Sequence, residues 1–286
     1  MRPGEQTLPD EAMVRLGQRV MVDIHHHLLP GLDDGPSELE TSVAMSRAAA
    51  NDGITHVVCT PHSSGQYVFD PAAISERLST LRDAIAKESI PITLGTGCDF
   101  HLSFDNVQDA RANPRKYTIN ATEYLLIELA DSGIPPAIRN TFYDLRLAGM
   151  TLILTHPERN PILQRTPSLL ADWVREGMLI QITANSVLGH MGRKAEHMSK
   201  ELLRKRWVNF IATDAHNLTS RAPRLRAAYD LVAQQYGEKY AHILCVENPM
   251  AVFRGDRLPP QFEPLHLYQE MVEIKVPWWK RLLGED

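Results

Sequence analysis

Val20-Met21-Val22-Asp23-Ile24-His25-His26-His27 decides the reading of this chain. A short apolar run ends in a carboxylate and three imidazoles, the profile of a buried strand that delivers polar groups at its C-terminal end. The arrangement recurs along the sequence. Thr60-Pro61-His62 follows His56-Val57-Val58-Cys59, Asp99 closes 92–97, and Glu128 lies inside 124–129. His156 follows the apolar run 151–155, and Asp214-Ala215-His216 follows 209–213. Strands that all present polar residues at one end describe a barrel or an open α/β sheet with a site on its C-terminal face.

Seven strands are expected, at 19–25, 54–60, 92–97, 124–129, 151–155, 179–184 and 208–213. Continuous apolar stretches such as Thr151-Leu152-Ile153-Leu154 suit a sheet covered on both faces. Helices are expected between them. Ser37-Glu38-Leu39-Glu40 has capping-box spacing before a helix over 41–51, which Gly53 ends. Asp70-Pro71 begins a helix with Ile74, Leu78, Leu81 and Ile85 on one face. Further helices are expected near 137–148, 168–176 (started by Thr166-Pro167, stopped by Gly177), 193–206, 221–236 and 238–246. The polar stretch 101–121 reads as a long connection beside the site. Residues 1–18 read as an N-terminal extension, 19–256 as one α/β domain, and 257–286 as a C-terminal extension. The chain has neither a GxGxxG fingerprint nor a P-loop.

Thirty Lys and Arg against thirty-five Asp and Glu give a formal charge of -5, which argues against a general nucleic-acid surface. Cys59, Cys98 and Cys245 are too scattered for a disulfide framework or a CxxC zinc module, and the first two read as strand core. Residues 1–20 lack an apolar export signal and no run is long enough to cross a bilayer, so a reduced, cytoplasmic location is expected.

His25 and His27 are two apart, so an extended strand points both the same way and His26 the other. Asp214 and His216 repeat the pattern across Ala215. Imidazoles with carboxylates suit Mn, Fe, Ni or Zn. His62, His156 and His216 stand at strand ends, and Asp99 and Glu128 each carry two oxygens able to bridge cations. Within Asp33-Asp34-Gly35 one carboxylate is expected to reach a metal and the other to cap the next helix. Strand-end salt bridges and turn caps would account for one or two such sites, but not for six.

The ordered set of Asp-Ile-His-His-His at 23–27, Asp-Asp-Gly at 33–35, Thr-Pro-His at 60–62, Leu-Ile-Glu-Leu at 126–129, Thr-His-Pro-Glu-Arg at 155–159 and Ala-Thr-Asp-Ala-His-Asn at 212–217 carries a family resemblance. Over roughly 21–252 the chain resembles the polymerase-and-histidinol-phosphatase (PHP) family, especially its bacterial branch of capsule- and exopolysaccharide-regulating protein-tyrosine phosphatases. The resemblance implies a distorted (β/α)7 barrel and a centre of three divalent ions, with manganese favoured over iron or zinc. The implied ligands are His25, His27, Asp34, His62, Asp99, Glu128, His156, Asp214 and His216. Arg159 and Arg221 match positions that hold the phosphate. The branch usually has Glu where Asp99 stands, one methylene longer.

The chemistry so implied is attack on phosphorus by water that the cations activate, with His62 or His216 assisting the leaving group. No cysteine begins a CxxxxxR loop, so a cysteine nucleophile is not expected. The implied partner is a tyrosine-phosphorylated bacterial polysaccharide-biosynthesis kinase, through its C-terminal tail. Two other readings stay open: a phosphatase of histidinol phosphate or another small phosphomonoester, and a catalytically weakened phosphopeptide-binding regulator. Pro277-Trp278-Trp279-Lys280-Arg281-Leu282-Leu283 reads as a segment docked on the domain or on another subunit of a homo-oligomer. Its sharper reading is a transient contact with the inner membrane face.

Overall fold

The computed structural model describes residues 20–267. Nine short strands appear in order: β1 Met21–His26, β2 Ile54–Cys59, β3 His62–Ser63, β4 Thr93–Thr96, β5 Asp99–His101, β6 Tyr124–Glu128, β7 Thr151–Thr155, β8 Leu179–Thr183 and β9 Phe210–Ala212. They pair as β1-β2-β4 and β3-β5-β6-β7-β8-β9, every pair parallel.

Two of the seven expected strands are broken. Thr60-Pro61 interrupts β2 before β3, where proline has no amide to give to a ladder. Gly97-Cys98 interrupts β4 before β5. The breaks are bridged by Gly97 N donating to the Cys59 carbonyl (2.9 Å) and Asp99 N to that of Pro61 (3.2 Å). Seven staves result, with β2/β3 and β4/β5 counted as one each. A bridge between His26 and Ala215 joins the last stave to the first, with His27 N donating to the Ala215 carbonyl at 3.0 Å. The architecture is the distorted α/β barrel.

Side chains alternate along the staves. Val22, Ile24, Val58, Leu126, Ile153 and Phe210 form an enclosed inner cluster, whereas Val57, Cys59, Leu125, Leu152, Ile180 and Ile211 join the larger core beneath the helices. The helix Asn248–Arg254 supplies Val252 and Phe253 to the inner cluster. Gly95 permits that closure, because a Cβ there would stand 2.5 Å from Asn120 Oδ1 and 2.8 Å from Phe253 Cε2.

Local signals were met unevenly. Asp70 caps the helix Pro71–Lys87 by accepting from the amides of Ala72 and Ala73, and Gly53 ends Leu39–Asp52 at φ 97°. The expected capping box does not form: that helix starts at Leu39, and Glu38 makes no side-chain cap. Thr166 does not cap the helix Ser168–Arg175, which begins on Pro167. The stretch 101–121 is not merely a connection, since Ser103 caps a helix Phe104–Ala112 inside it. Among the described residues no helix is long and apolar enough to cross a membrane. Residues 1–18 and Pro277–Leu283, with their expected roles, lie outside the described residues. The start of the C-terminal extension is packed on the barrel: Leu265 N donates to the Lys205 carbonyl at 2.7 Å, and Trp207 Nε1 to the Leu265 carbonyl at 3.0 Å.

Candidate metal centre

Parallel staves all end at one rim, so the residues at and beyond their C-terminal ends converge there. A β-bulge sharpens the first: Asp23 pairs with Val57 and His26 with Cys59, three steps against two. The extra residue lets Ile24 and His25 both face inward. Ile24 joins the inner cluster, and His25 Nδ1 meets Gln181 Oε1 at 2.9 Å. His27 Nδ1 donates to Asp33 Oδ2 at 2.6 Å. With both Nδ1 atoms so engaged, the two Nε2 atoms face each other at 3.3 Å. His26 is buried apart, and neither of its ring nitrogens has a partner.

Carboxylates surround these nitrogens. Asp214 Oδ1 lies 3.4 Å from both His25 Nε2 and His27 Nε2. Asp99 Oδ2 lies 3.5 Å from His25 Nε2 and 3.3 Å from His62 Nδ1. Asp99 therefore reaches both histidines despite its shorter side chain. Glu128 lies 3.6 Å from His62 Nδ1 and, through its other oxygen, 3.6 Å from His156 Nε2. Asp34 Oδ1 closes the rim, 3.2 Å from His216 Nε2 and 3.4 Å from His62 Nε2. His216 Nδ1 faces the Asp214 carbonyl at 3.0 Å, which turns Nε2 inward.

Four overlapping groups could each hold a metal ion: His27, Asp34, His62 and His216; His25, His27 and Asp99; His25, His156 and Asp214; and His62, Asp99 and Glu128. The donor set fits cations for a second reason. Asp99 Oδ2, Asp214 Oδ1 and His216 Nε2 are buried without a hydrogen-bond partner, and desolvated polar atoms left unpaired are costly unless something else compensates them. His156 and Asp214 sit at positive φ (33° and 51°), a strained backbone that recurs at functional sites.

The electrostatics follow from burial against these neighbours. Burial disfavours a charged Asp214, yet His25, His27, Arg159 and Arg221 hold its carboxyl well below the usual range. Burial likewise opposes a charged His27, but the neighbouring Asp214 and Asp33 carboxylates raise its pKa to about 10. Burial and the neighbouring Asp99 push Glu128 up to about 7. Burial, with the cationic His27 beside it, takes His216 down to about 3. Burial also lifts the Cys59 thiol to about 12 and raises Cys98 and Cys245, so no cysteine here is a ready nucleophile.

Arg159 and Arg221 both reach Asp214 Oδ2, Arg221 Nη2 at 2.5 Å. Their side chains remain 28% and 24% exposed, so both stand at the mouth. The structure thus brings all eleven sequence-selected residues to one rim. Sequence reasoning missed the residues behind them. Asp33 does not cap the next helix; it holds His27 and also accepts from the amides of Gly35 (2.9 Å) and His62 (3.2 Å). Gln181 holds His25, and its signal was a lone amide in the apolar strand Leu-Ile-Gln-Ile-Thr.

A seven-stave α/β barrel with imidazoles and carboxylates clustered at its C-terminal rim defines a metal-dependent barrel protein. The capsular polysaccharide synthesis CpsB/CapC family matches residues 21–254, and the chain belongs to that family. It is 34% identical over 245 residues to the tyrosine-protein phosphatase YwqE of Bacillus subtilis, covering 84% of this chain and 96% of that one. It is 27% identical to the tyrosine-protein phosphatase CpsB of Streptococcus pneumoniae over 81% of this chain and 98% of the relative. A crystal structure from work on YwqE and CpsB, described as unique metal-dependent tyrosine phosphatases, superimposes with a TM-score of 0.80 at 32% identity, covering 86% of this chain and 98% of that one. The lactonase Lmo2620 of Listeria monocytogenes (TM-score 0.55, 12% identity, 84% of this chain and 96% of that one) shares the fold alone.

Proposed function

We propose that this chain is a metal-dependent protein-tyrosine phosphatase that dephosphorylates the C-terminal tail of a bacterial polysaccharide-biosynthesis tyrosine kinase at the cytoplasmic face of the membrane. Residues 19–256 form its catalytic domain. One observation carries the reading: three buried, unpartnered polar atoms, Asp99 Oδ2, Asp214 Oδ1 and His216 Nε2, lie among overlapping ligand groups beneath two arginines.

His25, His27, Asp34, His62, Asp99, Glu128, His156, Asp214 and His216 would hold three divalent ions, manganese before iron or zinc, as the family resemblance implies, and the four overlapping groups of mixed N and O donors suit such cations. Bound there, the ions would lower the pKa of a water and neutralise charge on the entering and leaving oxygens. Arg159 and Arg221 would fix the phosphoryl oxygens with guanidinium N–H groups not used by Asp214; Arg221 Nε is buried without a partner. Of the two histidines offered as proton donors, His216 has one nitrogen turned to the Asp214 carbonyl. His62, 17% exposed, is the better placed to protonate the leaving phenolate, through a ring nitrogen not bound to metal.

The test compares kcat/KM for a phosphotyrosyl peptide and for histidinol phosphate, with and without EDTA and with Mn²⁺ restored. A strong peptide preference that EDTA abolishes is expected. Undiminished turnover by demonstrably metal-free protein, or a preference for histidinol phosphate, would overturn the reading.

A further inference from the structure

A groove of about 570 Å³ opens beside the centre, lined by Pro161, Gln164, Arg165 and Pro167 on one wall and by the helix Arg193–Arg204 with Lys205 on the other. It begins two residues beyond Arg159. Along the helical wall Arg193, His197, Glu201 and Lys205 recur every fourth residue, and Met198 supplies an apolar floor.

The charge of this groove runs against that of the chain. The protein carries a formal charge of -5, yet the groove gathers Arg165, Arg193, Lys194, His197 and Lys205 against one carboxylate. That carboxylate, Glu201, is already engaged by Arg204 at 2.8 Å. Among the described residues, Arg165, Arg193 and Lys194 have no ion-pair partner, and Arg193, Lys194 and Arg165 are exposed. Arg193 and Lys194 also occupy the first helical turn, where the helix dipole disfavours cations. The one acidic residue of that turn, Glu196, is turned to Lys200 at 2.6 Å. A local rule broken without a structural return points to a function outside the fold.

We propose that this groove binds an acidic, extended peptide segment flanking the phosphotyrosine, an inference that rests on the phosphatase reading of the neighbouring centre. The four-residue stripe spans about 18 Å of helix, room for roughly five residues of extended chain. Prolines on the facing wall keep the groove open without an ordering cost. Charge complementarity selects carboxylates, while the phosphoryl group is left to Arg159 and Arg221.

The experiment uses the full chain loaded with Mn²⁺ and a fluorescein-labelled phosphotyrosyl peptide carrying a run of glutamates. A peptide with serines in their place and p-nitrophenyl phosphate serve as comparisons. The acidic peptide is expected to have the lower KM. Arg193→Glu/Lys194→Glu should raise that KM about tenfold at unchanged kcat, and Arg165→Glu on the opposite wall should act in the same direction. Hydrolysis of p-nitrophenyl phosphate, too short to reach the groove, reports the centre separately. Anisotropy of the same peptide decides the groove even if nothing is hydrolysed: about tenfold weaker binding by the double variant supports it while the phosphatase reading fails. Equal KM and equal anisotropy in wild type and variants overturn the groove and leave the centre standing. Loss of phosphatidylglycerol-vesicle binding with unchanged peptide binding would also overturn it, in favour of a membrane contact.

Discussion

Asp23 on the first stave accepts hydrogen bonds from both the amide (3.0 Å) and the hydroxyl of Thr213, which follows the last stave. This pair stitches the barrel shut at the point where the chain turns into Asp214-Ala215-His216. Thr213 Oγ1 also accepts from the Ala215 amide at 3.2 Å. The closure and the placement of two candidate ligands are therefore one device.

That device carries a pH signature. Burial outweighs the hydrogen bonds of Thr213 and raises the Asp23 pKa from 3.8 to about 6. The folded chain then keeps this proton where the unfolded chain has lost it, so stability falls as pH rises from about 4 to about 6. Asp23→Asn keeps one acceptor oxygen and removes the linkage. In urea unfolding with EDTA, the wild type should lose up to about 3 kcal/mol relative to the variant across that window. A difference independent of pH would show that the buried carboxyl titrates normally.

Asp33 yields a prediction about affinity. Its bond to His27 Nδ1 fixes the ring and raises the basicity of Nε2. Asp33→Ala should weaken metal binding roughly 10- to 100-fold, with turnover recovering at high Mn²⁺. Mn²⁺ titration of the metal-free protein measures this. Wild-type affinity in the variant would reduce Asp33 to a loop residue.

How much of this was legible in sequence depends on what each signal encodes. The repeated strand-then-ligand pattern exposed the rim, because a parallel barrel sends every stave's C-terminal end to the same place. His25 and His27 could be paired by strand period alone. The bulge between Asp23 and His26 could not, since an inserted residue follows from pairing with β2 rather than from local composition. Ser37 and Thr166 looked like caps because capping chemistry is local, yet those helices begin at Leu39 and Ser168, with Glu38 and Pro167 at the cap positions and no side-chain cap. Asp33 and Asp34 are chemically identical in sequence. Only the loop geometry turns the first to His27 and leaves the second 46% exposed above His216.

His156 tests the proposed ligand set. It stands beside Glu128 and His25 at a strained backbone position. His156→Ala should lower kcat by about two orders of magnitude or more while circular dichroism stays unchanged, and metal content by ICP-MS should drop. Normal turnover by a folded variant would remove His156 from the set.

The arginines give the sharpest comparison. Arg159 and Arg221 share Asp214 Oδ2, yet Arg221 Nε stays unpartnered. Lysine would keep the positive charge and the tie to Asp214 but lose the planar fork that can take two oxygens at once. Arg159→Lys and Arg221→Lys should each lower kcat/KM by roughly tenfold or more, on a phosphotyrosyl peptide and on p-nitrophenyl phosphate alike. Metal content should stay near wild type. A defect confined to the peptide would move the arginine from the phosphoryl site to the protein-recognition surface. Unchanged kinetics on both substrates would leave it as an ion-pair partner of Asp214 alone.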